Sequence, residues 1–336
     1  MRTADMNVTV LGTGGTIAST AHETGAVPTE RGAELIDRVP ELDEYADIAV
    51  EQVEQVPSYE MTTETLEIVG GRVTELDADP NVDAVVITHG TDTMEETAYY
   101  LDVAANPSTP VFLTGAQRRP DERGFDGLTN LVTAFAAAGE FVEDDGVDGG
   151  TYVAFDEEIH SARFVTKVHT SQLDAFASPG VGPIATHDRT GVRILRPPRS
   201  ESVHVPDASL DPTVFVVGSG TGVDERLAAA ALDAGADGLV VNGTGLGNVT
   251  AELGEFIEST VRDGTPVVVT SRCLAGRTTP VYGNAGGGET LRDAGALFAG
   301  DLPAHKARLK LMLALSKYDD ENGEAGDEAI RALFDA

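Results

Sequence analysis

The chain has 336 residues, and its 56 Asp and Glu residues against 23 Lys and Arg give a net charge of −33. This balance argues against nucleic acid or an anionic membrane as a main partner, because phosphate groups are bound by clustered Lys and Arg. The 41% hydrophobic fraction can fill a core, so the composition predicts a folded protein with an acidic surface rather than disorder. We expect such a surface to be adapted to a salt-rich, halophilic cytoplasm.

The cysteine and histidine content limits the kinds of site that the chain can form. A single cysteine, Cys273, excludes an internal disulfide and every multi-cysteine metal site. The seven histidines show no i, i+4 pair and no H-E-x-x-H motif, which argues against a catalytic metal. The N-terminus lacks a signal-peptide pattern, and no segment approaches the ~20 apolar residues that span a bilayer. We therefore expect a cytoplasmic protein without a metal or a cofactor.

In the first half of the chain, short apolar runs alternate with segments of helical spacing. Such βαβ alternation predicts a parallel sheet covered by helices. The predicted strands are residues 8–11, 48–56, 82–88, 111–114 and 152–155, and the predicted helices are residues 33–39, 63–76, 95–105 and 128–138.

The alternation lapses in a stretch rich in Pro, Arg and Ser, so we place a linker at residues 191–212. The acidic residues 319–328 are predicted to be a solvated turn before the last helix. The predicted fold class is α/β, with a larger N-terminal, mainly parallel-sheet domain (1–190) and a smaller C-terminal α/β domain (213–336). After the linker, the predicted strands are residues 214–217, 238–241 and 267–271, and the predicted helices are residues 225–234, 252–262, 306–315 and 328–334.

The first candidate site loop is residues 12–18 (GTGGTIA), directly after the first predicted strand. In α/β sheets, ligands gather at the carboxyl ends of the strands. The glycines permit a tight turn and a close backbone approach, and their N–H groups can face an anion or oxyanion. A dinucleotide fingerprint needs a small residue where Ile17 stands, and a phosphate-binding Walker loop needs a lysine, which first occurs at Lys167. A purely structural turn remains the alternative.

The second candidate loop is residues 88–97 (THGTDTMEET), at the end of the third predicted strand. Thr93 with Glu96 fits a capping box, which predicts a helix that begins at Met94. Thr91 and Asp92 precede this cap, where the helix dipole favours an anionic ligand. His89 is interpreted as a satisfied strand-end residue rather than a base.

A lysine in the middle of the chain is the third candidate feature. The chain has nineteen arginines but only four lysines, and Lys167 is the one that lies outside the last 31 residues. Arginine cannot lose its proton, whereas a partly buried lysine beside a carboxylate can act in proton transfer. Chance placement is the alternative.

Two further glycine-rich segments follow predicted strands in the second half, at residues 218–222 (GSGTG) and 243–248 (GTGLGN). Ser219 lies in the first of them but misses the G-x-S-x-G register of a hydrolase nucleophile elbow. Turns explain both segments.

Taken together, the motifs resemble the L-asparaginase family, homotetrameric amidohydrolases that convert asparagine to aspartate and ammonia. The resemblance extends over nearly the whole chain, and its first two motifs are long and in the expected order. It implies hydrolysis of L-asparagine through a threonine-linked acyl-enzyme. The segments that carry it are residues 13–18, 89–97, 166–167 (TK), 174–179 (DAFASP) and 306–308 (KAR).

The resemblance also implies catalytic roles for individual residues. Thr13 corresponds to the nucleophile that attacks the side-chain amide carbon. Thr91, Lys167 and Asp92 resemble the group that handles protons and positions water. A threonine hydroxyl is a poor nucleophile until a base takes its proton, so such a group is needed.

Further positions correspond to substrate contacts. Ser58 resembles the residue that holds the α-carboxylate, and Asp92 would pair with the α-ammonium. Tyr59 and Gly90 are the other expected contacts within the chain. Asn248 resembles a residue that reaches in from a neighbouring subunit, which implies a homodimer or homotetramer with sites at subunit interfaces. The implied substrate is L-asparagine, with L-glutamine left open.

The sequence departs from the family pattern at two positions. Relatives carry a tyrosine in a mobile Gly-Tyr-x-Pro loop, whereas this chain has Ala26 in residues 25–28 (GAVP). Activation of Thr13 then falls to Tyr59, Tyr282 or the Thr91–Lys167 pair. Tyr282 itself stands roughly where secreted relatives carry a substrate-binding glutamate, so selectivity between asparagine and glutamine does not transfer.

Two other functions remain open. One is the asparaginase-like glutaminase subunit of an archaeal tRNA-dependent amidotransferase, which normally has a whole domain before the first motif, whereas Thr13 here follows twelve residues. The other is a non-catalytic amino-acid-binding protein, which the missing loop tyrosine would favour.

Overall fold

In a computed structural model, the chain divides into two compact units with the boundary between His204 and Val205. The structure describes residues 6–22, 25–28, 31–144, 146–147, 149–318 and 324–335. Within these ranges, every helix is too short or too polar to cross a membrane.

The first unit is built on one large sheet and helices that pack against it. Its strands are β1 (Asn7–Gly14), β2 (Ser19–His22), β3 (Gly25–Pro28), β4 (Asp47–Val56), β5 (Ala84–Thr88), β6 (Val111–Thr114), β7 (Thr151–Phe155), β8 (Glu158–Ser161), β9 (Thr166–Lys167), β10 (Phe176–Ala177), β11 (Ala185–Asp188) and β12 (Gly191–Ile194). Its α-helices are α1 (Gly32–Ile36), α2 (Thr63–Asp77), α3 (Met94–Tyr100) and α4 (Gly127–Glu143). Short 3₁₀ helices span Thr16–Ala18, Pro40–Glu44 and Ser58–Glu60, and a π-helical turn, Leu101–Ala105, follows α3.

The large sheet has the strand order β12-β11-β8-β7-β6-β5-β1-β4. The strands from β4 to β7 run parallel, and β8, β11 and β12 continue the sheet antiparallel. Separate antiparallel pairs are formed by β2 with β3 and by β9 with β10. All five residues of β5 and of β7 are buried, as expected for parallel strands covered on both faces.

The core of the first unit lies between the sheet and α4. Phe112, Phe141 and Tyr152 form an aromatic cluster there, with ring centroids 5.1–5.4 Å apart. Such pairs add to the free energy gained from burying their area. The carboxyl ends of β1, β5 and β6 therefore project from a rigid support.

The second unit has a four-stranded parallel sheet in the order β13-β14-β15-β16. Its core contains Leu239, Val241 and Val269 from the sheet and Leu253 and Ile257 from a covering helix. The elements are β13 (Val214–Gly218), α5 (Arg226–Asp233), β14 (Gly238–Gly243), α6 (Ala251–Arg262), β15 (Val267–Ser271), α7 (Gly288–Asp293), β16 (Leu297–Phe298), α8 (Ala304–Tyr318) and α9 (Glu324–Asp335).

The predicted fold class is confirmed: a larger N-terminal, mainly parallel-sheet unit precedes a smaller C-terminal α/β unit. The division into 1–190, 191–212 and 213–336 stays a prediction. The first four residues of the predicted linker form β12, which pairs with β11. Arg193 interrupts the apolar pattern of this short strand, so the sequence offers little sign of it.

The prediction of an acidic turn at residues 319–328 is wrong in its second half. Helix α9 begins at Glu324, whereas residues 319–323 lie outside the described residues. Ile330 and Phe334, four residues apart, are buried, and the packing of this apolar face stabilises a helix whose first turns are acidic.

Candidate active site

Thr13 lies on strand β1, which continues to Gly14, and not in a loop after the strand as predicted. Gly12 pairs with Thr88 of β5, and the register with β4 shifts between Gly12 and Gly14. The Thr13 side chain is 1% exposed, and its Oγ1 donates a hydrogen bond to the carbonyl oxygen of Thr88 at 2.9 Å. The strand ladder thus fixes this hydroxyl at the carboxyl edge of the sheet.

The glycines after Thr13 bring two loops into close contact. Gly14 and Gly15 have φ angles of +104° and +83°, a region that favours glycine. A Cβ atom on Gly15 would stand 2.3 Å from the backbone nitrogen of Gly90, and one on Gly90 would stand 2.5 Å from Ser58 Oγ. The close backbone approach predicted from the sequence is confirmed here.

The loop after β5 joins Thr91, Asp92 and Lys167 in one hydrogen-bonded group. Lys167 Nζ donates to Thr91 Oγ1 at 2.8 Å and to Asp92 Oδ1 at 2.7 Å. The side chain of Lys167 is 14% exposed and that of Asp92 is 57% exposed, so the ion pair lies at the edge of solvent. Three residues separated by up to 76 positions are therefore brought together as expected from the motifs.

Glu95, which the sequence analysis did not single out, contacts the backbone of Lys167. The Lys167 N–H donates to Glu95 Oε1 at 3.0 Å, and the Glu95 side chain is buried in the first turn of α3. On its other side, Lys167 pairs with Phe176 of β10. The two contacts hold the lysine backbone while its ammonium group reaches the Thr91 loop.

The predicted capping box at Thr93 is wrong, although α3 does begin at Met94. The Thr93 side chain makes no capping bond; its hydroxyl donates instead to the carbonyl oxygen of Ser58 at 2.8 Å. Ser58 Oγ in turn accepts the Asp92 N–H at 3.1 Å. Thr93 and Ser58 therefore connect the loop after β5 to the segment after β4.

His89 is fully buried beneath the same loop. Its Nδ1 lies 2.7 Å from the carbonyl oxygen of Gly90, which can only accept, so Nδ1 carries the proton and Nε2 accepts from Thr97 Oγ1 at 2.9 Å. Burial lowers the pKa of His89 to about 4, which keeps the ring neutral at pH 7. The geometry agrees with the interpretation of His89 as a satisfied structural residue.

A cavity of about 280 Å³ opens beside these loops, within the first unit. Of the predicted site residues, Ser58, Tyr59 and Asp92 line it, whereas Thr13, Gly90, Thr91 and Lys167 are not among its lining residues. Tyr59 is 68% exposed. The full lining is Gly15, Thr16, Ser19, Pro57, Ser58, Tyr59, Asp92, Gln117, Arg119 and Glu122.

Gln117, Arg119 and Glu122 form a part of the cavity wall that was not predicted from the sequence. These residues follow β6, the next parallel strand after β5. The rule that ligands gather at the carboxyl ends of strands, applied to the predicted strand 111–114, could have found them. The buried Asp126 carboxylate holds this loop by accepting the Gln117 N–H at 3.0 Å.

Asn248 and Tyr282, the remaining predicted positions, belong to the second unit. The Asn248 side-chain oxygen accepts the Gly288 N–H at 3.1 Å, and Tyr282 is 55% exposed. Ala26 lies on β3, but its side chain is outside the described part of the structure. Among the residues that the structure describes, no three His, Cys, Asp or Glu side chains form a metal-binding group.

The geometry provides a threonine hydroxyl at a strand end, a second hydroxyl bonded to a lysine and a carboxylate, and an adjoining polar cavity. Comparison with known proteins gives matches to two family models. Residues 7–200 match the family model described as "Asparaginase, N-terminal", and residues 213–331 match the model described as "Glutaminase/Asparaginase C-terminal domain". The two models together cover most of the chain.

Individual relatives are similar over almost the whole chain. An L-asparaginase from Bacillus licheniformis is 34% identical over 93% of this chain and 96% of its own length. A glutamyl-tRNA(Gln) amidotransferase subunit from Halobacterium salinarum is 35% identical over 97% of this chain and 79% of its own length. The solved structure of a probable cytoplasmic L-asparaginase from Campylobacter jejuni superposes with a TM-score of 0.83 at 32% identity, over 98% of this chain and 99% of that one. The chain belongs to the asparaginase family.

Proposed function

We propose that the protein is an L-asparaginase, which hydrolyses L-asparagine to L-aspartate and ammonia through a threonine-linked acyl-enzyme. The observation that carries this proposal is the contact of Lys167 Nζ with both Thr91 Oγ1 and Asp92 Oδ1, at 2.8 and 2.7 Å. A hydroxyl, an amine and a carboxylate in one chain of hydrogen bonds can pass a proton to and from a reacting group.

In the proposed reaction, Thr13 Oγ attacks the side-chain amide carbon of asparagine and forms a C–O bond. The C–N bond then breaks, and the amide nitrogen leaves as ammonia after it takes up a proton. Water attacks the resulting ester, which releases aspartate and returns the proton to Thr13. The Thr91–Lys167–Asp92 group positions this water and handles the protons, and backbone N–H groups of the Thr91 loop hold the oxyanion.

Activation of Thr13 requires its hydroxyl to turn away from its present partner. Its proton is donated to the carbonyl oxygen of Thr88, which is not a base. Of the three candidate activators, we favour the Thr91–Lys167 pair, because Thr91 is buried in the loop that follows the neighbouring strand β5, whereas Tyr59 is largely exposed. Ala26, at the position of the family's loop tyrosine, has no group that could take the proton.

The remaining assignments concern the substrate. Asp92 would pair with the α-ammonium group and Ser58 would hold the α-carboxylate, which agrees with their common place on the cavity wall. Tyr59 lines the same cavity, and Gly90 touches Ser58. A site with such partners prefers an amino acid to a plain amide, because a missing ligand group leaves a polar partner unsatisfied.

The test is ammonia release from L-asparagine and from L-glutamine by purified protein, measured from low salt to molar KCl. We expect turnover of asparagine in high salt and its loss in Thr13→Ala with an unchanged circular dichroism spectrum. Absence of activity at every salt concentration, or full activity in Thr13→Ala, would contradict the proposal. Asparagine binding by calorimetry without ammonia release would instead support an amino-acid-binding protein.

A second candidate function is the glutaminase reaction of a tRNA-dependent amidotransferase. The observation in its favour is the similarity to the Halobacterium salinarum amidotransferase subunit over 97% of this chain. A preference for glutamine together with stimulation by a partner protein and tRNA would support this function. A preference for free asparagine without any partner would exclude it.

We also propose a homodimer or homotetramer with sites at subunit interfaces, in which Asn248 serves the site of a neighbouring subunit. Two exposed apolar side chains support an interface in this region. Leu246 lies two residues before Asn248, and Leu274 lies three residues after Ser271, whose hydroxyl donates to the Gly245 carbonyl oxygen. Light scattering in high salt gives the mass of the assembly. Mixing Asn248→Ala with Thr13→Ala protein should restore part of the activity if Asn248 acts across an interface.

The net charge of −33 supports a halophilic, cytoplasmic enzyme. At low salt the screening length grows to about 30 Å, so repulsion among surface carboxylates opposes the compact state. Circular dichroism should show a folded protein in molar KCl and loss of structure on dialysis to about 0.01 M salt. Full folding and stability at low salt would count against this adaptation.

A further inference from the structure

The wall of the cavity formed by the loop after β6 carries hydrogen-bond donors that the proposed reaction has not used. Arg119 is the one cation among the described residues that line the cavity. Gln117, two residues earlier, also lines it, and its Nε2 is buried without a hydrogen-bond partner in the described part of the chain. A buried amide donor without an acceptor costs free energy, which a ligand oxygen would recover.

Arg119 is held in place before any ligand arrives. Its Nε donates to Asp121 at 2.9 Å, and its Nη1 pairs with Glu122 at 3.0 Å. The Glu122 side chain also accepts the Arg119 backbone N–H at 3.0 Å, and the Glu122 N–H donates to the Arg119 carbonyl at 2.9 Å. This closed turn fixes the guanidinium group, which has five N–H donors and can still bind a further acceptor.

Charge decides what kind of group these donors would receive. The other charged residues on the cavity wall are Asp92 and Glu122, which repel an anion. Asp92, at the other side of the site, is already bound to Lys167 and suits an ammonium group. An amino-acid zwitterion therefore has complementary partners in this cavity only if its carboxylate lies toward the Arg119 and Gln117 wall.

We infer that Arg119, with Gln117, forms a carboxylate-binding edge that receives the α-carboxylate of the amino-acid substrate together with Ser58. This inference rests on the proposed function for its choice of substrate. Ser58 Oγ accepts the Asp92 N–H, so its own proton is the group that it can offer to a carboxylate. The Arg119 guanidinium supplies the positive charge that the neutral Ser58 hydroxyl lacks. It therefore determines the selectivity for substrates with an α-carboxylate.

The chain offers a matched control in the adjacent residue. Arg118 is exposed, donates through Nη1 to the carbonyl oxygen of Gly124 and is not among the residues that line the cavity. Arg118→Met removes the same charge from the same loop as Arg119→Met. Any effect of the overall change in charge should therefore be equal in the two variants.

The test compares wild type with Arg119→Met, Arg119→Lys and Arg118→Met in high salt. Turnover is measured with L-asparagine and with 3-aminopropanamide, which keeps the ammonium and amide groups but lacks the carboxylate. We expect Arg119→Met to raise KM for asparagine about tenfold or more with little change in kcat. The kcat/KM of Arg119→Met for 3-aminopropanamide should equal that of wild type. For asparagine, the KM of Arg119→Lys should lie between those of wild type and Arg119→Met, and the KM of Arg118→Met should match that of wild type.

Calorimetric binding of L-aspartate separates this inference from the proposed function, because it needs no turnover. If wild type binds aspartate but releases no ammonia, the asparaginase proposal fails, and a tenfold loss of affinity in Arg119→Met alone still supports the carboxylate edge. Equal affinities in Arg119→Met and Arg118→Met would overturn it. An equal loss of kcat/KM for asparagine and for 3-aminopropanamide in Arg119→Met would also overturn the carboxylate edge. Failure of the wild type to bind aspartate would overturn it as well.

Discussion

The glycine-rich strand ends of the two units look alike in sequence but differ in what surrounds them. In the first unit, the loop after β5 places the Thr91 hydroxyl and the Asp92 carboxylate in contact with the ammonium group of Lys167, which comes from β9. In the second unit, Ser219 Oγ and Asn242 Oδ1 lie buried at the ends of β13 and β14 without hydrogen-bond partners in the described residues. Glycines at a strand end thus allow a close backbone approach, whereas the reactive side chains are brought together from distant segments of the chain.

The contrast also extends to the way each loop is held. Thr244 of the second unit donates to the carbonyl oxygen of Asn248 within its own loop. Uncharged groups hold the same loop from outside: Ser271 Oγ donates to the Gly245 carbonyl oxygen, and the Gly288 N–H donates to the Asn248 side chain. The loop after β5 is held from outside by Ser58, which contacts Asp92 and Thr93, and by the charged Lys167. Changes at the contacts with Ser58 and Lys167 should alter activity, whereas loss of the Thr244 contact in the second unit should alter stability.

The largest expected effect comes from Lys167→Arg. Arginine keeps the charge but cannot give up its proton, and its planar fork does not reproduce the two bonds to Thr91 and Asp92. We expect at least about a hundredfold loss of kcat with an unchanged melting temperature. The matched change in the second unit, Ser219→Ala, removes a hydroxyl that has no hydrogen-bond partner among the described residues and should leave kcat unchanged. Near-normal turnover in Lys167→Arg would return this lysine to a structural role.

The second prediction concerns His89, the buried histidine beneath the loop after β5. The compared loops of the second unit contain no histidine, so the expected pH effect belongs to the first unit's site. The pKa of His89 is about 4 in the folded protein, below the ordinary value near 6.5. Between these values the unfolded chain binds a proton that the folded state does not. His89 therefore lowers the free energy of unfolding as the pH falls below about 6.5, by about 1.4 kcal/mol per pH unit.

The measurement is the difference in unfolding free energy between wild type and His89→Asn at pH 7, 6 and 5 in high salt. The variant loses packing at every pH but escapes the protonation effect. Its deficit relative to wild type should shrink by about 2 kcal/mol between pH 7 and pH 5. A deficit that stays constant over this range would show that His89 does not titrate as its burial requires.

The third prediction tests whether Glu95 acts by positioning Lys167. Glu95→Ala removes the acceptor of the Lys167 N–H and should lower kcat about tenfold, with a smaller change in KM. Glu95→Gln keeps an acceptor oxygen and should recover most of this loss. The control is Glu64→Ala, which changes an exposed glutamate in the first turn of α2 and should have no effect on kcat. If Gln is no better than Ala, the hydrogen bond does not explain the role of Glu95.

Much of the fold could be predicted from the sequence. A segment with a clear apolar pattern buries its apolar residues irrespective of which elements pack beside it. The predicted helix at residues 63–76 corresponds to α2, and the predicted strand at 111–114 corresponds to β6. The short strands β8 to β12 were not predicted. They have two to four residues each and lack an apolar run as long as that of β6, so pairing with a neighbouring strand, rather than their own pattern, determines them.

The candidate site was predictable as a set of motifs but not as a cavity. Thr91, Asp92 and Lys167 stand in recognisable segments, and a carboxylate beside a lysine is a contact that the residue types favour. Arg119 could have been found from its place after the predicted strand at 111–114, but Glu95 could not be ranked above the many other acidic residues without its contact to Lys167. Thr93 shows the reverse error: its spacing fits a capping box, but Ser58 competes successfully for its hydroxyl.

The smallest expected effects come from two threonines before helices, Thr93 and Thr250. Thr250 Oγ1 accepts the Leu253 N–H at the start of α6 and donates to the Val223 carbonyl oxygen, so Thr250→Ala should cost about 1 kcal/mol of unfolding free energy. Thr93→Ala removes no cap but frees the Ser58 segment, so it should raise KM for asparagine a few-fold with less effect on stability. Thermal unfolding and KM, measured on both variants, separate the two roles. If Thr93→Ala lost stability like Thr250→Ala and kept its KM, the contact between Thr93 and Ser58 would be purely structural, like the uncharged contacts of the second unit's loop, and the contrast between the units would rest on Lys167 alone.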